Sequence, residues 1–338
     1  MTEADTQVDI DALAARPLLA SMFPLRPELR QELEAAYRVV GPFSAADPPP
    51  PRLASEIAVL ITLGHIRVDE ALISSLPRLR LIAAYGAGYE GVDLDAARLR
   101  GIRVTHGPGG NASCVADAAI ALLLATIMRL PTGDALVRDG LWDSIPPRNW
   151  PRRPGVGGRR LGVVGLGAIG AKIAARAAAF ELEIGYHNRS ARTDIAYRHF
   201  PAVHELAEWA DYLVVAAPAN ASSRRLIDAT VLRALGPSGY LVNISRGSLV
   251  DEDALVTALV AGEIAGAGLD VFEGEPAVSA ALRNAPNTVF TPHIAGLSAR
   301  AAANLDAMLL DTLEAFFEGR TPSTVVGEQN MERRLGDS

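Results

Sequence analysis

Cysteine is almost absent from this chain, and so is lysine. Cys114 is the single cysteine among 338 residues, so no intrachain disulfide can form, and no Cys/His spacing of the kind that encloses a structural zinc is present. Lys172 is the single lysine; positive charge rests on arginine, and a Schiff-base mechanism would have to run through that one amine. The longest apolar run, Val115 to Leu130, is interrupted by Asp117 and Arg129 and is short for a membrane span. Met1 to Asp11 is polar and acidic, without the charged start and apolar stretch of a signal peptide. Basic residues are scattered and the formal net charge is -7, which leaves no electrostatic footprint for nucleic acid or an anionic membrane surface. A soluble, cytoplasmic protein of a reducing compartment is expected.

What is present is a long, apolar chain, 49% hydrophobic, with material for about two domains. Short apolar runs (Pro17 to Met22, Ile57 to Thr62, Leu79 to Ala84) alternate with stretches of helical period (Pro27 to Val39, Val68 to Leu76). That alternation predicts a parallel sheet. Pro48 to Pro51 reads as an extended surface connector, because proline fixes φ and lacks the N–H that a helix interior needs. The helix predicted over Asn111 to Leu130 is apolar on nearly every face and has to be covered all round, by its own domain, the other domain or a partner. From Leu141 to Gly158 tryptophan, proline, arginine and glycine predict an irregular arm, with Trp142 and Trp150 as packing anchors or dimer contacts.

A second alternating series follows. Strands are predicted at Leu161 to Val164, Leu182 to Tyr186, Tyr212 to Ala216, Gly239 to Ile244, Ala265 to Leu269 and Thr288 to Phe290. Helices are predicted at Ile169 to Phe180, Ala229 to Leu235 and Glu252 to Ala261. This is a doubly wound α/β pattern. A long amphipathic helix, Ser298 to Phe317, closes the chain before a polar, loose tail.

Gly165, Gly167 and Gly170 form G-x-G-x-x-G between the first strand of that series and the helix after it. The first glycine permits a tight turn, the second lets backbone approach a pyrophosphate, and the third allows close packing of a helix whose N-terminus faces the anion. A P-loop would need Lys-Ser/Thr after its last glycine, and Ala171-Lys172 stands there instead. Dinucleotide units selective for NAD(H) place a carboxylate at the end of the second strand to accept from the ribose 2′-OH. Here Asn188, Arg189 and Ser190 occupy that place, a guanidinium and a hydroxyl that attract a 2′-phosphate. The cofactor expected is therefore NADP(H) rather than NAD(H).

Three polar residues sit just past predicted strands: Arg246 in Asn-Ile-Ser-Arg-Gly, Glu275 in Gly-Leu-Asp-Val-Phe-Glu-Gly-Glu-Pro, and His293 in Phe-Thr-Pro-His-Ile-Ala-Gly. With the glycine loop, these segments resemble the D-isomer-specific 2-hydroxyacid dehydrogenase family over residues 55 to 320, closest to the glyoxylate/hydroxypyruvate and hydroxyphenylpyruvate reductases. Hydride addition to a ketone leaves a developing alkoxide, which needs a proton donor working near neutral pH, the province of imidazole. The resemblance gives that role to His293, with Glu275, the glutamate before proline, orienting it in preference to Glu273. Arg246 takes the substrate carboxylate and carbonyl. Tyr85, Ala87 and Gly88, in Tyr-Gly-Ala-Gly-Tyr, resemble the substrate loop, whose bare N–H groups grip a carboxylate. The other five histidines, including His106, have no such context.

By the same resemblance Ala168, Ile169, Pro218, Ser223, Ile244, Asp270 and Gly296 border the cofactor, Asp270 beside the nicotinamide carboxamide. Two features depart from the family pattern: Glu181 stands where glycine is usual, and Ala217-Pro218 with Ser223 replaces Leu-Pro and threonine. The family layout implies two doubly wound domains, a discontinuous flavodoxin-like substrate domain (1–103 and 298–338) and a Rossmann dinucleotide-binding domain (104–297). It also implies an active site in the cleft between them and a homodimer, with a small 2-oxo or 2-hydroxy acid as partner. Two competitors share the fold. Formate- and phosphite-type dehydrogenases are one, although formate-type relatives carry glutamine in place of Glu275. The other is a non-catalytic nucleotide-sensing regulator similar to the corepressors of this fold.

Overall fold

The computed structural model describes residues 15–44, 46–145, 147–148, 150–152 and 154–326; Met1 to Asp11 and the polar tail lie outside them. The chain divides into two compact units, the described parts of Met1–Asn111 with Ala299–Ser338, and Ala112–Ser298.

The first unit is built on a parallel sheet of β1 (Leu18–Ser21), β2 (Arg38–Val40), β3 (Ile57–Thr62), β4 (Leu81–Ala84) and β5 (Arg103–Thr105), in the order β2-β1-β3-β4-β5. This is the flavodoxin-like winding. β1 and β4 are buried at every residue, as strands covered on both faces must be. Four helices accompany them, α1 (Pro27–Ala36), α2 (Pro51–Ala54), α3 (Glu70–Ser75) and α4 (Leu94–Leu99). Asp69 and Asp93 start α3 and α4 by accepting from the N–H groups of Leu72 and Ala96. The helix Ala299–Phe317 belongs to this unit and packs Leu309 and Leu313 onto Leu19, Leu33, Val59 and Ile61.

Three expectations shift here. The helix after β1 stops at Ala36, and the β-branched pair Val39-Val40 joins the sheet as β2 instead. Pro51 opens α2 rather than ending an extended connector, since the first helical position requires no N–H. Arg103–Thr105 pairs with β4, so the first segment runs on to Asn111 instead of ending at 103.

The second unit carries seven parallel strands: β6 (Arg160–Val164), β7 (Glu183–His187), β8 (Arg198–His199), β9 (Tyr212–Val215), β10 (Tyr240–Asn243), β11 (Gly266–Leu269) and β12 (Thr288–Phe290). Their order is β12-β11-β10-β9-β6-β7-β8, with the winding reversing between β6 and β9, the switch point where ligands of such sheets bind. Its helices are α5 (Ala112–Met128), α6 (Leu130–Arg138), α7 (Ala168–Ala178), α8 (Val203–Trp209), α9 (Ala229–Leu235), α10 (Glu252–Ala261) and α11 (Ala280–Arg283); Ala299–Phe317 is α12. The apolar α5 is covered by its own unit, lying against α7 and β10 to β12. Among the described residues no single helix is long and apolar enough to cross a membrane. The described part of 141–158 is irregular.

Candidate active site

The glycine loop leaves β6 at Gly165, whose φ of 94° suits glycine. A Cβ at Gly170 would stand 2.1 Å from the Gly165 carbonyl oxygen, so the turn and the helix can approach only without side chains. Gly167 is different: a Cβ there would meet nothing within 4 Å. That open space lies at the start of α7, where Gly167 supplies no side-chain cap. A helix terminus of this kind holds unpaired N–H groups and a partial positive charge in front of room for an anion. The loop thus fits a dinucleotide pyrophosphate. Ala168 is exposed and Ile169 half-buried at the same terminus.

At the end of β7, Asn188 turns its Oδ1 inward to accept from the Leu166 N–H at 2.7 Å. Its side chain braces the glycine loop. Arg189 and Ser190 are exposed. A residue the sequence did not single out joins them: Arg192 donates to the Leu166 carbonyl at 3.0 Å and is held by Asp194 at 2.5 Å. Ser223 departs from a simple cofactor contact, because its buried hydroxyl donates to the Pro218 carbonyl at 2.9 Å and accepts from the Asn220 N–H at 2.8 Å.

Along the carboxyl edge of the same sheet, neighbouring strands β10, β11 and β12 lead into the segments bearing Arg246, Glu275 and His293. Asn243 shapes the first of these: its side-chain amide donates to the Arg246 carbonyl, and its Oδ1 accepts from the Ser245 N–H. Arg246 donates to the Ser245 carbonyl at 2.7 Å, and the preceding Ile244 is buried. Gly247 lets this turn pass against the Phe272–Glu273 backbone, where a Cβ would clash at 1.9 Å.

Glu275 accepts twice, from the Phe272 N–H on Oε1 (2.8 Å) and from His293 Nδ1 on Oε2 (2.7 Å). Glu273 faces elsewhere, paired with Arg224 at 2.6 Å. With Nδ1 engaged on a carboxylate, the plane of the imidazole is fixed. His293 has a φ of 56°, a left-handed conformation that a side-chain-bearing residue adopts only under constraint.

The constraint comes from Asp270. Its buried carboxylate accepts from Thr291 Oγ1 (2.6 Å) and from the N–H groups of Ile294 (2.9 Å) and Ala295 (3.0 Å), while its carbonyl takes the His293 N–H (2.8 Å). Asp270 is therefore the anchor of the histidine segment, a use the sequence did not reveal. On α5 the Cys114 thiol donates to the Ala295 carbonyl at 3.1 Å, steadying the backbone just before Gly296.

In the first unit, Tyr85, Ala87 and Gly88 follow β4. The Tyr85 hydroxyl donates to Asp306 Oδ1 of α12 at 2.8 Å, and Arg26 pairs with the same carboxylate. Burial, the hydrogen bond to Asp306 and the charge of Asp306 push the Tyr85 phenol up to about 12. It stays neutral and committed to the helix. Asn111 Oδ1, at the end of this unit's first segment, is a buried acceptor with no partner among the described residues.

The model of the D-isomer specific 2-hydroxyacid dehydrogenase NAD binding domain matches residues 120–295. The chain belongs to this family. It is 35% identical to glyoxylate/hydroxypyruvate reductase A of Arabidopsis thaliana over 90% of this chain and 97% of that one. Identity to the 2-ketogluconate reductase of Gluconobacter oxydans is also 35%, over 93% of this chain and 100% of that one. Among solved structures it is similar to an NADPH-dependent glyoxylate/hydroxypyruvate reductase from Sinorhizobium meliloti, in complex with NADP and malonate. The TM-score is 0.86 and the identity 37%, covering 93% of this chain and 98% of that one. As a D-2-hydroxyacid dehydrogenase it is an NAD(P)-dependent oxidoreductase that interconverts a 2-oxo acid and a 2-hydroxy acid.

Proposed function

We propose that this dehydrogenase reduces a small 2-oxo acid, glyoxylate, hydroxypyruvate or one of similar size, to the D-2-hydroxy acid, using NADPH in preference to NADH. The observation that carries the reading is the 2.7 Å bond between His293 Nδ1 and Glu275 Oε2. It fixes the orientation of the imidazole that gives a proton to the oxygen developing on the substrate. Arg246 holds the substrate carboxylate and polarises the 2-oxo group with two parallel donors. In the first unit the N–H groups of Ala87 and Gly88 are donors for a carboxylate, and Tyr85 contributes its ring, its hydroxyl being committed to Asp306.

A nicotinamide cofactor at the glycine loop supplies the hydride, and Gly165, Gly167, Ala168, Ile169, Gly170, Pro218, Ile244 and Gly296 form its surroundings. The preference for NADPH rests on exposed Arg189 and Ser190 beyond β7, where a carboxylate would repel a 2′-phosphate and a guanidinium attracts it. A homodimer is the assembly we favour, through α6 and the arm. No side chain of α6 is buried, and Leu130, Val137, Leu141, Trp142 and Ile145 are exposed.

The test is loss of the reduced nicotinamide's near-ultraviolet absorbance with NADPH and NADH separately against glyoxylate, hydroxypyruvate, hydroxyphenylpyruvate and pyruvate. Turnover is expected, faster with NADPH, and His293→Ala is expected to lose about 10²–10⁴-fold in kcat. Equal rates in wild type and variant would overturn the assignment of His293, and no turnover with any pair would overturn the substrate class. Light scattering on the same preparation at the mass of one chain would overturn the dimer.

A further inference from the structure

We infer that His106 positions the carboxylate-binding N–H groups of the loop after β4, acting through the Ala87 carbonyl. This rests on the reading of that loop given above. His106 Nδ1 stands 2.9 Å from the Ala87 carbonyl oxygen. A carbonyl can only accept, so Nδ1 carries the proton and donates. One residue on, the Gly107 N–H donates to the Gly86 carbonyl at 2.6 Å. The two bonds thus seize consecutive peptide groups, Gly86–Ala87 and Ala87–Gly88.

Both of those peptide bonds are trans, and a trans peptide points its N–H opposite to its C=O. Holding the two carbonyls on the side of residues 106 and 107 therefore turns the N–H groups of Ala87 and Gly88 to the other side. Neither N–H has an acceptor among the described residues. Gly86, at a φ of 130°, lets the chain make this turn. Two adjacent unpaired donors on one side of a loop, with their carbonyls tied on the other, form an anion nest. Donation into a carbonyl also polarises its amide and strengthens the N–H at the far end.

His106 is itself fixed. Its ring meets Tyr89 edge-on, with centroids 5.1 Å apart, and its own N–H donates to the Thr324 carbonyl at 3.2 Å. Gly64 closes the back of the loop: a Cβ there would lie 2.3 Å from Gly88. The peptide planes are therefore set by rigid neighbours, and the histidine supplies a side-chain bond that orients the second plane. His106 touches neither substrate nor cofactor in this scheme; it is a positioning residue.

The experiment compares wild type, His106→Phe and His106→Asn. Phenylalanine keeps the ring against Tyr89 and removes the donor, whereas asparagine restores an N–H near the place of Nδ1. Initial rates with glyoxylate and NADPH, titration of NADPH by its fluorescence, and calorimetric titration with oxalate are measured on each. For His106→Phe we expect KM for glyoxylate and the oxalate Kd to rise about tenfold, the range of one lost hydrogen bond, with kcat and NADPH affinity within twofold. His106→Asn is expected to recover most of the loss. Unchanged KM and oxalate binding in His106→Phe would overturn the inference while leaving the enzyme reading intact. So would an asparagine variant as impaired as phenylalanine, or a fall in NADPH affinity alongside KM. Were wild type inactive on every 2-oxo acid yet to bind oxalate, with weakening only in His106→Phe, the enzyme reading would fall and the positioning role would stand.

Discussion

At Asp270 one buried carboxylate terminates three donors, the Thr291 hydroxyl and the N–H groups of Ile294 and Ala295. Replacing it with alanine leaves two backbone donors without acceptors in a segment where Ala295 is 4% exposed. Each costs about 1–3 kcal/mol. Asp270→Ala is therefore expected to lose about 3 kcal/mol of unfolding free energy in denaturant titration, with kcat reduced because the backbone holding His293 is released; a loss below about 1 kcal/mol would place Asp270 among ordinary surface substitutions. The residues proposed for proton and substrate chemistry lie in short local strings, Arg-Gly after a buried strand, Glu-Gly-Glu-Pro and Thr-Pro-His, and the structure brings the glutamate and histidine of the last two together. Bonds spanning longer stretches were not legible. The use of Asp270 on residues 21 to 25 positions away, of Asn188 on Leu166, and of Arg192 on the same loop depends on strands being brought side by side, which no local run encodes.

Among the elements, the link from α7 to β7 carries a residue out of its preferred geometry. Glu181 has a φ of 62°, the left-handed turn after a helix for which glycine is best suited. The position departs from the family pattern in sequence, and the backbone shows what the usual glycine is for. Left-handed backbone costs a side-chain-bearing residue roughly 1–2 kcal/mol, partly offset by the freedom glycine gains when unfolded. Glu181→Gly is expected to raise the thermal midpoint, by about 1 kcal/mol in stability; a lowered midpoint would mean that Glu181 makes a compensating contact. Buried runs such as Ile57–Thr62 and Tyr212–Val215 appear where the apolar pattern predicted them. The strands missed, Arg38–Val40, Arg103–Thr105 and Arg198–His199, are two or three residues long and each begins on an exposed or half-buried arginine, so no apolar run marks them. α6, which buries no side chain, and the seven-residue α8 were missed as well.

For the molecule as a whole, the two strand orders differ. In the second unit the reversal between β6 and β9 opens the place for the glycine loop. In the first, the loop after β4 is walled by residues 64, 106 and 107 from adjoining segments. Two doubly wound units and a discontinuous first one were legible from the family pattern; the boundary was not, because β5 is three residues long. Removing α12 should expose Leu19, Leu33, Val59 and Ile61, so a chain truncated after residue 298 is expected to bind a hydrophobic dye that the full chain does not. Equal dye binding would mean that the first unit closes without its last helix.

That discontinuity bears on how the protein is made. A ribosome delivers Met1–Asn111 before Ala112–Ser298, but the helix that seals this unit's core emerges only after all of Ala112–Ser298. At ~5–20 residues per second, the interval is on the order of ten to forty seconds. Throughout it the first-born half carries an unsealed apolar face while the second half, contiguous in sequence, can finish. The order of completion is thus the reverse of the order of synthesis, and the window for chaperone engagement opens at the unit made earlier.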